Sequence, residues 1–285
     1  MRRRLDLELV RRGLAPSRSA ARDLVDAGLV RVSGAVATKS ARLVDAGEPV
    51  LVGDGGPRYV SRGGHKLERA LERVPLPTRD AEVLDAGAST GGFTDCLLQR
   101  GASMVVAVDV GHGQLHERLR SDPRVVVRER TNVRDLEPAW APTEDGLVDG
   151  VVADVSFISL RTVLPALRNQ LRPGGWMVLL VKPQFEAGRT VVDRGAGVVR
   201  DPRVWTEVLR TVCGAVEDLG GAIMDVVDSP IRGAAGNVEF LLAASFAEAP
   251  QVIPSGDGPS GTGASTAVDA AVTAASRRWA AEVSE

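Results

Sequence analysis

The chain has 285 residues, 44% of them hydrophobic and 25% charged, with a formal net charge of −2 and two cysteines. That is a globular composition with room for one sizeable core and a smaller module, and it excludes collagenous and disordered classes. Cys96 and Cys213 are too few and too far apart for a disulfide framework or a metal site. No apolar run approaches the roughly 18 residues of a membrane span, and Asp6 and Glu8 interrupt the stretch after Arg2-Arg3-Arg4 where a signal peptide needs an apolar core. A cytoplasmic protein without metal is expected.

The charge is unevenly spread. Residues 1–73 hold 15 Lys/Arg and 9 Asp/Glu, a balance of +6 that leaves −8 for the remainder. A basic module on an acidic body suits a polyanionic partner. In chain order, residues 5–12 read as a short amphipathic helix stopped by Gly13, and Ser17 as the N-cap of a second helix closed by Gly28. Val30-Arg31-Val32 turns through Ser33-Gly34 into another strand, and residues 48–52 supply a third. Arg18 and Arg22 lie four apart on one helix face, with Arg4, Arg11, Arg12 and Arg31 close in sequence, and the few acids are expected to leave this stripe uncompensated. The pattern Ser17-Arg18-(x)2-Ala21-(x)2-Leu24-(x)3-Gly28-x-Val30-x-Val32-x-Gly34 resembles the small RNA-binding module shared by a small-subunit ribosomal protein, tyrosyl-tRNA synthetases and many pseudouridine synthases.

Glycine-rich residues 53–57 mark a boundary, so a domain is expected over 1–57 and a linker over 58–61. A helix follows Ser61-Arg62-Gly63-Gly64-His65-Lys66. From Val83 strands and helices alternate: strands at 83–85, 104–108, 125–127, 148–153, 176–181, 223–227 and 238–243, helices around 93–98, 160–171 and 206–219, and a turn at Arg172-Pro173-Gly174-Gly175. Such alternation predicts a doubly wound, mostly parallel, Rossmann-like sheet over 62–248, binding its ligand at the carboxyl ends of the strands. Residues 249–263 are rich in Pro, Gly and Ser, and the 249–285 tail is expected to be flexible with a weak helix over 267–283.

The turn Asp85-Ala86-Gly87-Ala88-Ser89-Thr90-Gly91-Gly92-Phe93 closes an apolar strand and opens a helix, whose free N–H groups favour a polar ligand. Asp109 ends the next strand, placed for the hydroxyls of a ribose. Dinucleotide folds enter such a turn with glycine, whereas Asp-x-Gly-x-x-x-Gly resembles the first motif of S-adenosylmethionine (SAM)-dependent methyltransferases. Three charged residues sit where apolar strands run out: Asp154, Lys182 and, inside the last strand, Glu239. Buried charges need partners, so they form either structural ion pairs or a site.

Five motifs carry a family resemblance. Ser61-Arg62-Gly63-Gly64-His65-Lys66-Leu67, the Asp85–Phe93 turn, Ala153-Asp154-Val155-Ser156-Phe157-Ile158-Ser159-Leu160, Val181-Lys182-Pro183-Gln184-Phe185-Glu186 and Gly236-Asn237-Val238-Glu239 together resemble the TlyA family, often labelled haemolysins, which are ribosomal RNA 2′-O-methyltransferases with an FtsJ-like catalytic domain. The resemblance runs from Arg4 to about Phe246. It implies SAM as cofactor, ribosomal RNA or subunits as partner, cytidine of the large subunit as target, and the small subunit as well where the N-terminal helix is long. The Lys-Asp-Lys-Glu tetrad would fall on Lys66, Asp154, Lys182 and Glu239. Asp85, Gly87, Ser89, Thr90, Gly91, Gly92 and Phe93 would line the methionine end, Asp109 the ribose, and Asn132 with Val133 the adenine, beside Asp154. Arg58 and Arg62 would join the RNA contacts, and Phe157 and Phe185 could stack on an extruded base or pack in the core.

Other classes fit less well. Arg4-Leu5-Asp6 matches a pseudouridine synthase motif, but ahead of the RNA-binding module. A base-carbon methyltransferase needs a strand-end cysteine, and both cysteines fall in helices. A base-nitrogen enzyme carries Asn/Asp-Pro-Pro-Tyr/Phe where this chain has Asp154-Val155-Ser156-Phe157. A membrane-active haemolysin needs an amphipathic or spanning segment.

Overall fold

The computed structural model describes residues 2–26, 28–37, 39–53, 58–188, 192, 195, 197–233, 235–247 and 262–283. The chain divides into two compact units, Met1–Gly64 and His65–Glu285. The glycine-rich boundary at 54–57 and the Pro/Gly/Ser-rich 249–261 lie outside the described residues.

In the first unit, β1 (Arg3–Arg4) pairs antiparallel with β4 (Leu43–Val44), and β2 (Val30–Val32) sits between β3 (Ala35–Val36) and β5 (Val50–Val52). Helices α1 (Leu5–Arg11) and α2 (Arg18–Asp26) cover a core of Leu5, Leu9, Ala21, Val25, Val30, Val32 and Val44. Ser17 Oγ accepts the Ala20 amide at 3.1 Å, the expected cap of α2. Gly64 can only be glycine, because a Cβ there would stand 2.2 Å from the Tyr59 ring.

The second unit is a seven-stranded sheet in the order β11-β12-β10-β9-β6-β7-β8. Its parallel part is β6 (Glu82–Ala86), β7 (Met104–Val108), β8 (Val125–Arg128), β9 (Val148–Ala153) and β10 (Leu171–Val181). The central strands β6, β7 and β9 are buried on both faces, as crossover helices require, while the edge strand β8 is half-buried. β12 (Phe240–Phe246) runs antiparallel to both β10 and β11 (Gly221–Asp228). The helices are α3 (Gly63–Arg73), α4 (Gly92–Gln99), α5 (Glu117–Arg120), α6 (Leu160–Arg168), α7 (Pro183–Glu186), α8 (Pro202–Glu217) and α9 (Thr262–Val283). α8 opens with Asp201 accepting the Arg203 amide and Pro202 in its first turn. Cys96 in α4 and Cys213 in α8 are free and buried.

Five expectations change. The helix after Leu160 ends at Arg168, and Leu171 already pairs with Val148. Arg172-Pro173-Gly174-Gly175 is therefore a bulge inside β10, after which Trp176 pairs with Gly150. Arg172 holds the bulge by reaching Glu82 (2.6 Å), Asp145 and Asp149 (2.8 Å each), and the Trp176 ring fills the place of a Gly150 side chain. α8 starts at Pro202, earlier than the apolar periodicity alone shows. The last strand starts at Phe240, so Glu239 precedes it. The terminal helix starts at Thr262 and buries Val268, Ala271, Val272 and Ala275 in the core of this unit.

Candidate active site

Strand register brings the charged residues to one edge. Asp154 follows the end of β9 and Lys182 the end of β10, and Leu179 pairs with Ala153 in parallel register. Because β12 is antiparallel to β10, with Phe240 opposite Val181, Glu239 at its start reaches the same edge. Lys66 comes from the first turns of α3.

The four residues form two ion pairs. Lys182 Nζ lies 2.5 Å from Asp154 Oδ1 and donates to Ser156 Oγ at 2.7 Å. Lys66 Nζ donates to Glu239 Oε2 at 2.5 Å. Lys66, Lys182 and Glu239 are buried, so each charge depends on its partner. Glu239 is fixed from behind as well: its carbonyl accepts the Ser229 amide at 2.9 Å, and a Cβ on Gly233 would stand 2.5 Å from its Oε1. Ser156 escaped the sequence reading, since a serine on a strand-end loop carries no periodic signal.

The turn after β6 lies beside this edge. Gly87 has φ +85°, and a Cβ on it would meet the Asp154 carbonyl at 2.7 Å. Gly91 has φ +97° and opens α4, and a Cβ there would collide with Leu119 and Leu115. Gly92 and Phe93 are buried in α4, while Ser89 (φ +47°) and Thr90 are exposed. Asp109 Oδ2 accepts the Ser89 amide at 2.8 Å and Oδ1 the Gly111 amide at 2.7 Å, so this acid also ties the turn to the end of β7. Asn132 caps a 3₁₀ turn, Val133–Asp135, whose Val133 is buried. Val110, next to Asp109, is 69% exposed; an apolar side chain after a strand-end acid gave no signal by itself.

Asp85 is fully buried. Its Oδ2 accepts from Thr94 Oγ1 at 2.6 Å, and Oδ1 has no hydrogen-bond partner among the described residues. Burial pushes its carboxyl up to about 7, the Thr94 bond opposes that, and the nearby Asp154 charge adds to it.

Phe157 is 91% exposed at φ +64°, a backbone conformation unfavourable for an aromatic residue. Its ring centroid is 5.3 Å from that of Phe185, and Lys182 Nζ stands 5.8 Å from the Phe185 ring. The loop is anchored by Glu186, which accepts from Ser159 Oγ at 2.5 Å and from the Leu160 amide at 2.7 Å. Core packing is thereby removed as the role of Phe157.

In the first unit the arginine stripe is not uncompensated, which corrects the expectation. Arg4, Arg18 and Arg22 converge on the buried Asp6 at 3.0, 3.1 and 3.6 Å. Arg11 and Arg12 converge on the buried Glu8 at 2.5 and 2.7 Å. The acids of α1 turn inward and gather the cations around them. Asp6 is held far below the usual carboxylate range, chiefly by the hydrogen bond from Arg4, and Arg11 and Arg12 pull Glu8 down to about 2. Five guanidinium groups face two carboxylates, so the cluster stays cationic, with Arg4, Arg11, Arg18 and Arg22 about half-exposed. Arg31 donates to the Gly34 carbonyl, and Arg58 lies 5.2 Å over the Tyr59 ring. Arg62 is partly exposed.

Comparison with known proteins agrees with both units. Residues 59–246 match the FtsJ-like methyltransferase family and residues 3–50 the S4 domain. The 16S/23S rRNA (cytidine-2′-O)-methyltransferase TlyA of Mycobacterium tuberculosis is 51% identical over 85% of this chain and 89% of its own length. Hemolysin A of Brachyspira hyodysenteriae is 40% identical over 84% of this chain and 98% of its own length. A chain from Streptococcus thermophilus, solved under a provisional hemolysin label, superposes with a TM-score of 0.71 at 40% identity, covering 99% of this chain and 98% of that one. With an FtsJ-like catalytic domain, an N-terminal S4 domain and half of its residues identical to a TlyA methyltransferase over most of both chains, the chain belongs to the TlyA family of FtsJ-like methyltransferases.

Proposed function

We propose that the protein methylates the 2′-hydroxyl of cytidine in ribosomal RNA of both subunits, with SAM as methyl donor. The observation that carries this reading is the pair of buried lysine–carboxylate contacts, Lys182–Asp154 and Lys66–Glu239, at the carboxyl edge of a methyltransferase sheet. The nucleotide and the two subunits are taken from the Mycobacterium tuberculosis relative, which is named for 16S and 23S rRNA.

The residues present fit SAM. Asp85 offers a buried carboxylate oxygen without a partner among the described residues, the acceptor an α-ammonium needs. Each Asp109 oxygen uses one lone pair on an amide and keeps another for a ribose hydroxyl. Exposed Ser89 and Thr90 face the methionine end, and Asn132, Val133 and the exposed Val110 the adenine. SAM, when bound, supplies a methyl group already activated by its sulfonium.

The chain's own task is the nucleophile. A ribose hydroxyl is a poor nucleophile at neutral pH and needs its proton removed as it attacks. Lys182, held by Asp154 and Ser156, grips the 2′-oxygen, and the hydroxyl proton passes to the coupled Lys182–Asp154 pair. The Lys66–Glu239 pair fixes the ribose from the neighbouring strand. Phe157, projecting from a loop braced by Phe185 and Glu186, stacks on the target base, and the cationic cluster around Asp6 and Glu8 takes backbone phosphates.

The test is transfer of tritiated methyl from SAM to unmodified small and large subunits, with mapping of the labelled nucleotide. Label on a cytidine 2′-oxygen in both subunits is expected. Label on a base, or in neither subunit, overturns the reading. Among the described residues no helix is long and apolar enough to cross a membrane; liposome leakage caused by the pure protein would favour the haemolysin class instead.

A further inference from the structure

The family match ends at residue 246, yet α9 lies beyond it and packs into the catalytic unit. Its apolar residues Val268, Ala271, Val272 and Ala275 fall at the spacing of one helix face and are buried against β11 and α8. One further turn along, Arg278 points back to the sheet. Its Nη1 lies 2.9 Å from Asp228 Oδ2 and donates to the Ser229 carbonyl at 2.9 Å.

Those two contacts stand one step from the catalytic edge. Asp228 ends β11, is buried and pairs in register with Phe240, the residue after Glu239. Ser229 donates its amide to the Glu239 carbonyl, and its own hydroxyl donates to the Ile231 carbonyl at 2.5 Å, which starts the loop whose Gly233 packs on the Glu239 carboxylate. A continuous chain of contacts therefore runs from Arg278 through Asp228 and Ser229 to Glu239, and from Glu239 to Lys66. Arg278 is the only cation that the described residues bring to the buried Asp228 carboxylate.

We infer that α9 is a clasp that sets the position of the Glu239–Lys66 pair, with Arg278 as a positioning residue for methyl transfer. Without Arg278 the Asp228 carboxylate is left buried and unpaired, so the end of β11 rearranges towards water. The Ser229 amide and the Gly233 loop move with it, and Glu239 loses its fixed distance to Lys66. Shifts of this size in a positioning element are costly because the reacting groups tolerate little misplacement.

This inference rests on the proposed reaction for its kinetic arm, and a second arm is independent of it. In the full-length protein, Arg278→Ala should lower the single-turnover rate about tenfold while leaving SAM affinity and subunit affinity within about twofold. Arg278→Lys should recover most of the rate, and Arg277→Ala, which removes an equal charge from the same helix, should match the wild type. Hydrogen exchange at the Ser229 amide should quicken about tenfold in Arg278→Ala alone. An unchanged rate and unchanged Ser229 exchange would leave α9 as mere cover and overturn the inference, as would a parallel loss of SAM binding. If the wild type itself transfers no methyl to either subunit, the proposed reaction has failed, and the Ser229 exchange alone decides for or against the clasp.

Discussion

Two clusters of paired charges, one in each unit, use the same chemistry to opposite ends. In the N-terminal unit two buried carboxylates gather five arginines, and the surplus stays positive and half-exposed. At the carboxyl edge of the sheet two carboxylates meet two lysines one to one, and the lysines are buried. The first arrangement keeps charge available for something outside the protein, while the second spends it internally. Unbalanced, exposed, planar guanidinium groups suit an anion; balanced, buried ammonium groups suit the proton exchange with substrate proposed above.

The comparison breaks most sharply at Lys182. Lys182→Met keeps most of the stem and removes the charge; single-turnover methyl transfer should fall by about 10²–10⁴-fold, with SAM and subunit binding near wild type. A normal rate would remove Lys182 from the mechanism, and lost SAM binding would make it structural. Next in size is Asp109→Ala. It removes charge-assisted bonds worth roughly 1.5–3 kcal/mol each, so SAM should bind at least about tenfold more weakly by calorimetry. Because Asp109 also holds the Ser89 and Gly111 amides, the turn should lose hydrogen-exchange protection in the same variant.

The N-terminal cluster yields a smaller effect with an informative sign. Arg18→Ala should weaken RNA binding several-fold and reduce the salt-dependence slope by about one unit or less. Asp6→Asn adds a net positive charge, yet it removes the anchor of Arg4, Arg18 and Arg22. RNA affinity should fall, because three ordered guanidinium groups become three mobile ones. Tighter binding would show that the arginines act as diffuse charge.

The smallest effect separates the units by pH. Asp6 and Glu8 are depressed in the folded state, so their contribution is present above the ordinary values of 3.8 and 4.5 and is lost as pH falls below them. Asp85 is raised to about 7, so its contribution is full below 3.8 and is lost as pH climbs through about 7. Acidification from pH 6 to pH 4 should therefore favour the ligand-free catalytic unit, and further acid should loosen the N-terminal unit. Domain-resolved hydrogen exchange should show opposite trends, and Asp85→Asn should flatten the first. SAM binding, through its ammonium, should release a proton from Asp85 near neutral pH.

Much of the catalytic unit was legible because its strands are short apolar runs that end on a charge. Val83-Leu84-Asp85, the run before Asp109, Val151-Val152-Ala153-Asp154 and Leu179-Leu180-Val181-Lys182 announce strand, edge and site together. What stayed hidden depends on partners distant in sequence. Nothing local says that Arg172-Pro173-Gly174-Gly175 bulges from a strand instead of ending a helix; that follows from Val148 and Gly150 on β9 and from three carboxylates elsewhere. Glu239 reads as a strand residue by alternation, but the Ser229 amide takes its carbonyl ahead of the ladder. The arginine stripe was read by count, and a count cannot reveal that Asp6 and Glu8 turn inward. Individual roles remained reachable only through the family resemblance, since lysine and acid spacings of this kind also describe structural ion pairs.

The strand order has a consequence for synthesis. β12 is the last strand among the described residues but occupies a slot between β10 and β11. In the finished sheet β12 fills the space between those two strands, about 10 Å or two strand spacings, so neither has its partner on that side until Phe240–Phe246 arrives. Glu239 enters with the same segment, so Lys66 gains its partner at that moment and no earlier. A nascent chain emerging from a ribosome therefore cannot form the Lys66–Glu239 pair until residue 246 has cleared the exit tunnel, however early its N-terminal unit folds. Completion of the sheet and assembly of this charge pair are one event, and the clasp of α9 follows it.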